Sequence, residues 1–230
     1  MIRLSGVTVA VPTPEGPPKT LLQDVTLDLT EPRICVIGAN GSGKSTLLRL
    51  LNGLVVPNRG SVTVHGHDTV RDGREVRRAV GFVFTDPLSQ LVLPTAVEDV
   101  ELSLRRTHQD RRTRRARARE LLQLRGLAEV AESSIYDLSG GERQLVALTA
   151  VLAVEPRVVV ADEPTTLLDL RNRDLVRREL ATLTQQLVVA THDLEWAAEF
   201  GRVLVVDRGR ITFDGDGPAA VASYRTLVTA

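Results

Sequence analysis

The chain has 230 residues, of which 43% are hydrophobic and 25% are charged, with 29 basic and 29 acidic side chains. This composition is typical of a folded globular protein and excludes a disordered or fibrous chain. A formal charge of zero gives no overall attraction to nucleic acid or to an anionic membrane. The longest apolar run, residues 145–154, is too short for a membrane span, and no secretory signal is visible at the N-terminus. We therefore expect a cytoplasmic location.

Strand and helix patterns alternate along the chain. Residues 2–11 and 20–29 alternate apolar and polar side chains, as half-buried antiparallel strands do. Residues 45–54 fit an amphipathic helix. The pattern is again helical from residue 95 to about 134, with a capping box expected at Thr95 and Glu98 and a break in the run at Gly126. Shorter strands are expected at 33–37, 61–65, 80–84, 157–161, 186–191, 202–206 and 210–213.

This order of elements predicts an α/β fold with a mostly parallel core sheet, an antiparallel β subdomain and a helical insert. No segment of the sequence is typical of a linker between independently folding domains. We expect a single domain whose core comprises residues 1–85 and 156–230 and whose helical subdomain comprises about 86–155.

Lysine is rare in this chain, and one lysine lies in a recognisable pattern. Only Lys19 and Lys44 are lysines among the 29 basic residues, so a retained lysine indicates a specific need. Residues 38–45 read GANGSGKS, which fits the phosphate-loop pattern G-x-x-x-x-G-K-[ST] between a predicted strand and a predicted helix. The glycines let backbone N–H groups turn toward a polyphosphate. We expect Lys44 to reach the β- and γ-phosphates and Ser45 to bind Mg²⁺.

Two carboxylates follow the predicted strand 157–161. Asp162 and Glu163 would lie at the C-terminal end of a buried parallel strand, where α/β sheets bind ligands. Beside a phosphate loop, Asp162 is placed to hold Mg²⁺, and Glu163 is placed to orient or deprotonate an attacking water. Such a pair alone is more often an ordinary turn at a strand end, so this interpretation depends on the Lys44 loop.

Residues 138–144, LSGGERQ, precede an apolar helical run. With this segment, the sequence resembles the ATP-binding cassette (ABC) ATPases over nearly its whole length. The resemblance implies the P-loop NTPase fold of an ABC cassette, ATP as substrate with Mg²⁺, and head-to-tail pairing with a second cassette, either identical or different. The nucleotide contacts it implies are Gly38, Asn40, Gly41, Ser42, Gly43, Lys44, Ser45 and Thr46.

The same resemblance implies roles outside the phosphate loop. The signature of one cassette caps the γ-phosphate bound by the other, and His192 resembles the family's switch histidine, which contacts that phosphate. Asp169 resembles the residue through which the two half-sites communicate, and Lys44, Glu163 and His192 are the implied catalytic residues. A serine cap or a histidine at a strand end is, by itself, usually structural. The implied signature residues are Ser139, Gly140, Gly141 and Glu142.

Two positions depart from the family pattern. Most cassettes carry a glutamine of the Mg²⁺ shell where this chain has Thr85, whose hydroxyl has a shorter reach, and Gln90 would substitute only if its loop bends back. The aromatic residue that usually stacks on adenine would fall near Val11, and no aromatic residue precedes Phe82. Stacking on a base is worth ~1–3 kcal/mol, so we expect weak discrimination between ATP and GTP.

The chain also resembles the separate ATPase subunit of an importer, since it has no membrane span of its own. Residues 80–91, VGFVFTDPLSQL, resemble the energy-coupling-factor (ECF) ATPases. These work with a transmembrane coupling protein and a substrate-binding membrane protein to import vitamins or cobalt and nickel ions. The short C-terminal end favours biotin, and the resemblance implies attachment to the inner face of the cell membrane. The alternative is a nucleotide-responsive interaction module without transport activity.

Arginines crowd residues 105–119. A solvated helix face is the commonest meaning of such a segment, and attraction to anionic lipid is the alternative. Nucleic acid is not an expected partner, because no aromatic residue alternates with the arginines. A separate hypothesis places Asp86, Glu98 and Asp99 in an acidic groove that binds an arginine-bearing helix of the membrane partner.

Overall fold

The computed structural model describes residues 1–14 and 16–229. The described residues divide into two compact units, the first within residues 1–80, 158–163 and 185–229 and the second within Gly81–Arg157 and Pro164–Thr184. The predicted division into a core and a helical subdomain at about 86–155 stays a prediction, and the second unit also contains Pro164–Thr184. None of the helices in the described part of the chain is both long and apolar enough to span a bilayer.

The elements follow one another in alternation along much of the chain. The strands are β1 (Ile2–Val11), β2 (Lys19–Leu29), β3 (Arg33–Ile37), β4 (Arg59–Val64), β5 (His67–Asp68), β6 (Val80–Val83), β7 (Val158–Asp162), β8 (Gln186–Ala190), β9 (Arg202–Asp207) and β10 (Arg210–Gly215). The helices are α1 (Lys44–Leu50), α2 (Gly73–Ala79), α3 (Ala96–Leu104), α4 (Arg111–Gln123), α5 (Gly140–Leu152), α6 (Leu170–Ala181), α7 (Leu194–Ala197) and α8 (Gly217–Thr229), with a short 3-10 helix at Pro87–Ser89.

The first unit contains an antiparallel sheet with the strand order β2-β1-β4-β5. Strands β1 and β2 pair from Ile2 opposite Leu29 to Val11 opposite Lys19. Apolar side chains alternate with polar ones along much of both strands, so one face is buried and the other faces solvent. The predicted antiparallel strand pair at 2–11 and 20–29 is confirmed, with β2 beginning one residue earlier.

The first unit also contributes five strands to a mostly parallel sheet, in the order β10-β9-β3-β8-β7. Strand β3 is parallel to β8 and β9, β7 is parallel to β8, and only β10 is antiparallel to its neighbour β9. Every residue of β7 is buried, as expected for a strand covered on both faces. The carboxyl ends of β3, β7 and β8 lead into the phosphate loop, Glu163 and the segment with His192, which confirms the predicted α/β fold.

Helix α1 is shorter than the predicted helix 45–54, because a glycine ends it. Gly53 has a left-handed backbone with φ 72°, and the Leu54 N–H donates to Arg49 O at 3.0 Å. This 6→1 hydrogen bond over a left-handed glycine is a Schellman ending. Gly53 is therefore the signal in the sequence that marks the end of the helix.

The predicted capping box at Thr95 and Glu98 is wrong. The helical region from residue 95 contains two helices, α3 and α4, and α4 ends three residues before Gly126, where the run was expected to break. The Thr95 hydroxyl donates to Glu98 Oε2 at 2.8 Å and caps no backbone N–H. The first N–H groups of α3 already have partners, because Ala96 and Val97 donate to the carbonyls of residues 133 and 131 at 3.4 and 2.9 Å. Backbone contacts from a distant segment have replaced the local cap.

Candidate functional site

The phosphate loop runs from the end of β3 to the start of α1. Gly38, Gly41 and Gly43 have φ values of 152°, 77° and 116°, which favour glycine. A Cβ on Gly38 would overlap the carbonyl oxygen of Val206, and one on Gly43 would lie 2.7 Å from Leu21 O. Glycine is required at these two positions both for the backbone conformation and for the close approach of neighbouring strands.

Lys44 is held inside this loop. Its side chain is buried, and Nζ donates to Gly38 O at 2.8 Å and to Ala39 O at 3.2 Å. The same nitrogen lies 3.9 Å from Glu163 Oε1. The ammonium group is thus positioned by the loop's own carbonyls and by a carboxylate, at the place where the pattern predicts the terminal phosphates.

Ser45 and Asp162 bring two oxygen ligands together. Ser45 Oγ donates to Asp162 Oδ1 at 2.9 Å, and Arg49 Nη2 lies 4.0 Å from Asp162 Oδ2. Asp162 is only 2% exposed, and this burial raises the pKa of its carboxyl, although the Ser45 hydrogen bond and the Arg49 charge oppose the rise.

A hydroxyl and a carboxylate fit Mg²⁺, which prefers oxygen ligands and completes its shell with water and substrate phosphate. Among residues 1–14 and 16–229, no cluster of three or more His, Cys, Asp or Glu side chains could hold a metal ion. A site built from Ser45 and Asp162 would therefore need ligands from a bound phosphate, which agrees with its place beside the phosphate loop.

Glu163 and His192, which follow strands β7 and β8, are hydrogen-bonded to each other. Glu163 has a left-handed backbone with φ 51°, which is uncommon outside glycine. Its Oε2 accepts hydrogen bonds from His192 Nδ1 at 2.7 Å and from the His192 backbone N–H at 3.2 Å. A hydrogen is assigned to Nδ1 from this contact, in which the carboxylate oxygen is the acceptor.

A cavity of about 220 Å³ opens beside the phosphate loop. Most of its lining residues were predicted as nucleotide contacts or as the catalytic carboxylate, while Lys19 and Leu21 of β2 were not. The phosphate-loop motif does not indicate which residues of β2 lie beside the loop. The rarity of lysine in the sequence was the one feature that distinguished Lys19. The lining residues are Lys19, Leu21, Asn40, Gly41, Gly43, Lys44, Ser45, Thr46 and Glu163.

The signature segment lies in the second unit, at the N-terminus of α5. Ser139 Oγ accepts from the Glu142 N–H at 3.3 Å, while Glu142 Oε2 accepts from the Ser139 N–H at 2.7 Å. This is a capping box, and the Ser139 hydrogen bonds lower the pKa of the Glu142 carboxyl. Ser139 and Gly140 are exposed, whereas Gly141 is buried against Asn172, whose side chain a Cβ would overlap.

Asp169 caps the next helix, α6, in the same unit. Its Oδ1 accepts from the Asn172 N–H and its Oδ2 accepts from Asn172 Nδ2, both at 2.9 Å. Asn172 therefore contacts both Asp169 and Gly141, two positions that were predicted separately. No local sequence pattern indicates Asn172, because its contacts come from the packing of helices α5 and α6.

Gln90 and Gln144 bond the two backbone groups of Phe84, the residue before Thr85. Gln90 Oε1 accepts from the Phe84 N–H at 3.3 Å, and its Nε2 donates to Ala147 O at 3.1 Å. Gln144 Nε2 donates to Phe84 O at 3.3 Å. The loop after β6 does bend back, and it places the Gln90 amide against the backbone of its own unit.

The hypothesis of an acidic groove is wrong for Asp99. This residue is buried, and its Oδ2 accepts from the Val92 and Leu93 N–H groups at 3.0 and 2.8 Å. A carboxylate that stabilises its own loop is not available to an arginine of another protein. Asp86 is exposed but caps the 3-10 helix by accepting from the Leu88 N–H.

Comparison with known proteins identifies the family. The family model described as "ABC transporter" matches residues 22–166 of this chain, which includes the phosphate loop, the signature segment and the Asp162–Glu163 pair. The chain belongs to the ABC transporter family. It is an ATPase subunit of that family, which binds ATP and hydrolyses it to ADP and phosphate.

Individual ABC relatives match over most of their length. A Bartonella quintana protein named as an ABC transporter ATP-binding protein is 46% identical over 204 residues, which cover 89% of this chain and 90% of the relative. The biotin transport ATP-binding protein BioM of Rhizobium etli is 43% identical over 91% of this chain and 93% of its own. The energy-coupling factor transporter ATP-binding protein EcfA1 of Halalkalibacterium halodurans is 38% identical. The match covers 82% of this chain and 69% of the relative.

A solved ABC cassette has the same fold. It is a dimeric ATP-binding cassette in a post-hydrolysis state with bound ADP and Pi, and it superposes with a TM-score of 0.83 at 31% identity. The match covers 94% of this chain and 98% of that cassette. The predicted ABC cassette fold is therefore confirmed.

Proposed function

We propose that this ATPase drives an importer of the energy-coupling-factor type and that biotin is the first substrate to test. The observation that carries the proposal is the 43% identity, over nearly the full length of both chains, to the Rhizobium etli biotin transport protein. The Halalkalibacterium halodurans relative supports the energy-coupling-factor class. An interaction module without transport activity gains no support, since these relatives are named as ATP-binding proteins of transporters.

The chemistry proposed for the first unit follows from the contacts beside the phosphate loop. Lys44 and the loop N–H groups bind the β- and γ-phosphates, with Asn40, Ser42 and Thr46 completing the cradle. Ser45 and Asp162 hold Mg²⁺, which when bound neutralises part of the phosphate charge. Glu163 accepts the proton of the attacking water, and His192 holds the carboxylate through Oε2.

The role proposed for the signature segment needs a second cassette. Ser139 and Gly140 are exposed at the N-terminus of the 13-residue helix α5, where backbone N–H groups favour an anion. We place them against the γ-phosphate bound by another cassette, identical or different, in a head-to-tail dimer. Asp169 would communicate between the two half-sites, since Asn172 links it to Gly141.

The proposed assembly attaches to the inner face of the cell membrane through a transmembrane coupling protein, which also binds a substrate-binding membrane protein. The test is mass spectrometry of the proteins that co-purify with the tagged chain from detergent-solubilised membranes of its native host. A Lys44→Ala variant serves as the control, because it should lose ATP turnover yet keep its membrane partners.

The expected result is one multispanning coupling protein together with a small substrate-binding membrane protein. Uptake of labelled biotin by cells that express these components and lack other biotin uptake then tests the substrate. Recovery of soluble partners alone would contradict the importer, whereas a complete membrane complex that takes up a metal ion but no biotin would contradict only the substrate.

A further inference from the structure

The chain uses lysine at only two positions, and both lysines line the same cavity. Arginine supplies the other 27 of the 29 basic residues. Lys44 belongs to the phosphate loop, whereas Lys19 enters the cavity from the antiparallel sheet as the first residue of β2. Lys19 lies outside the phosphate loop, the signature segment and the other motifs named above.

Backbone contacts fix β2 against the phosphate loop. Leu21, two residues along β2 from Lys19, also lines the cavity. Leu21 O is so close to the loop that a Cβ on Gly43 would come within 2.7 Å of it. The position of β2 relative to the loop is therefore set by close packing, and the base of the Lys19 side chain is placed with it.

Hydrogen bonds extend this attachment. The Gln23 N–H donates to Gly209 O at 2.8 Å, and the Gly209 N–H donates to Ser42 O in the phosphate loop, also at 2.8 Å. Strand β2 is thus connected to the loop through the turn between β9 and β10. The start of β2 is a defined part of the cavity wall rather than a loosely attached edge.

Lys19 also faces the position where the family carries its base-stacking residue. Val11 and Lys19 pair directly across β1 and β2, so their side chains share one face of the sheet. Val11 is 39% exposed and offers only an apolar contact. At this edge of the cavity the chain therefore has the flexible cation Lys19 beside Val11 and no aromatic ring at either position.

The charges around the cavity leave Lys19 available for an anion. Lys44 Nζ is already bonded to two loop carbonyls and lies near Glu163. Lys19 is exposed, and within residues 1–14 and 16–229 no carboxylate lies within ion-pairing distance of it. A lysine ammonium on a four-carbon stem can adjust to a phosphate group without a fixed partner.

We propose that Lys19 is a second cation for the bound nucleotide and that it contacts the phosphate chain. Nucleotide affinity then depends on the charge of Lys19, which lies across from Val11, near the place where related ATPases stack an aromatic residue on the base. The proposal rests on the Lys44 loop being the nucleotide site. Because Lys19 recognises no base, its contribution should be the same for ATP and GTP.

The test is equilibrium binding of three probes to the full chain: non-hydrolysable analogues of ATP and of GTP, and inorganic triphosphate. Lys19→Ala is compared with Lys19→Arg, which keeps the charge, and with Arg59→Ala, which removes an exposed cation of the same sheet outside the cavity. Each variant is measured at low and at high salt, and circular dichroism checks that it is folded.

Lys19→Ala should weaken binding of all three probes by a similar factor, about threefold to tenfold, as expected for a solvent-accessible charge contact. The loss should shrink at high salt, Lys19→Arg should bind nearly as well as the wild type, and Arg59→Ala should leave affinity unchanged.

Unchanged affinity in Lys19→Ala would overturn the proposal. A loss with both nucleotides but not with triphosphate would also overturn it, since the contact would then be with the base or the sugar. Lys44→Ala distinguishes a failure of the site itself: if that variant binds all probes as tightly as the wild type, the phosphate loop is not where they bind.

Discussion

His192 holds the Glu163 carboxylate through two hydrogen bonds, one from Nδ1 at 2.7 Å and one from the backbone N–H at 3.2 Å, both to Oε2. The second oxygen, Oε1, lies 3.9 Å from Lys44 Nζ. One oxygen is thus engaged by the segment after β8, while the other is directed toward the phosphate loop. This arrangement suits a carboxylate that accepts a proton next to a bound phosphate.

Replacing Glu163 by glutamine should abolish most turnover without loss of binding. Glu163→Gln keeps the size and polarity of the side chain but removes the proton acceptor. We expect phosphate release with saturating Mg²⁺ and ATP to fall ~10²- to 10⁴-fold, the usual worth of a positioned general base. ATP should still bind, and the closed dimer should accumulate in size-exclusion chromatography. Turnover near the wild-type rate would remove Glu163 from this role.

Replacing His192 should affect turnover less than replacing Glu163. His192→Ala removes the Nδ1 hydrogen bond to Oε2 and keeps the one from the backbone N–H, so the carboxylate is positioned less firmly but can still accept a proton. We expect kcat to fall about tenfold to a hundredfold, the order found for partners that orient a functional group, with little change in KM. His67→Ala, which lies on β5, is the matched control. A larger loss than in Glu163→Gln would show that His192 acts directly on the reactants.

The lack of an aromatic residue near Val11 predicts similar affinities for ATP and GTP. The two dissociation constants should agree within about tenfold, a difference of ~1.4 kcal/mol. Val11→Tyr should tighten ATP binding, because stacking on a base is worth ~1–3 kcal/mol. Fluorescence competition with both nucleotides measures this. A wild-type preference for ATP above tenfold would mean that another group recognises the base.

The two glutamines that bond Phe84 should contribute to stability. Gln90→Ala and Gln144→Ala each leave one backbone group of Phe84 without its partner, which costs ~1–3 kcal/mol when the group is shielded from water. For a chain of this size, thermal unfolding should show a decrease in Tm of about 2–4 °C per kcal/mol. Gln123→Ala, at an exposed position of α4, should change Tm little.

These contacts also show what a sequence pattern can and cannot predict. The phosphate loop could be predicted because its glycines, Lys44 and Ser45 lie within eight consecutive residues. The link between Phe84 and Gln144 spans 60 positions, and no local pattern indicates it. The order of strands was predictable from alternation, whereas the position of Lys19 against the loop depends on the packing of two sheets.

Local patterns can also give opposite outcomes. Thr95 and Ser139 each precede a glutamate by three residues, yet only Ser139 forms a capping box. The Ala96 and Val97 N–H groups, the first two after Thr95, bond to the carbonyls of residues 133 and 131. At Ser139 the side chains carry out the capping, with Ser139 Oγ accepting from the Glu142 N–H and Glu142 Oε2 accepting from the Ser139 N–H.

The buried carboxylate of Asp99 predicts a pH dependence of stability. Burial raises the pKa of Asp99 above its ordinary value, although the Leu93 and Val92 N–H groups oppose the rise. The folded state then binds a proton more tightly than the unfolded state. The contribution of Asp99 to the free energy of unfolding is complete below the ordinary aspartate pKa and is lost as the pH rises through the higher pKa of the folded protein.

Asp99→Asn keeps an oxygen that accepts a hydrogen bond but does not titrate. Urea unfolding of both proteins across this pH range should show the wild type losing stability relative to the variant as the pH increases. For Asp137→Asn, at an exposed position, the free energy of unfolding should change with pH as it does in the wild type. If the wild type instead gains stability relative to Asp99→Asn with rising pH, the hydrogen bonds to the carboxylate outweigh its burial, because only a lowered pKa gives that sign.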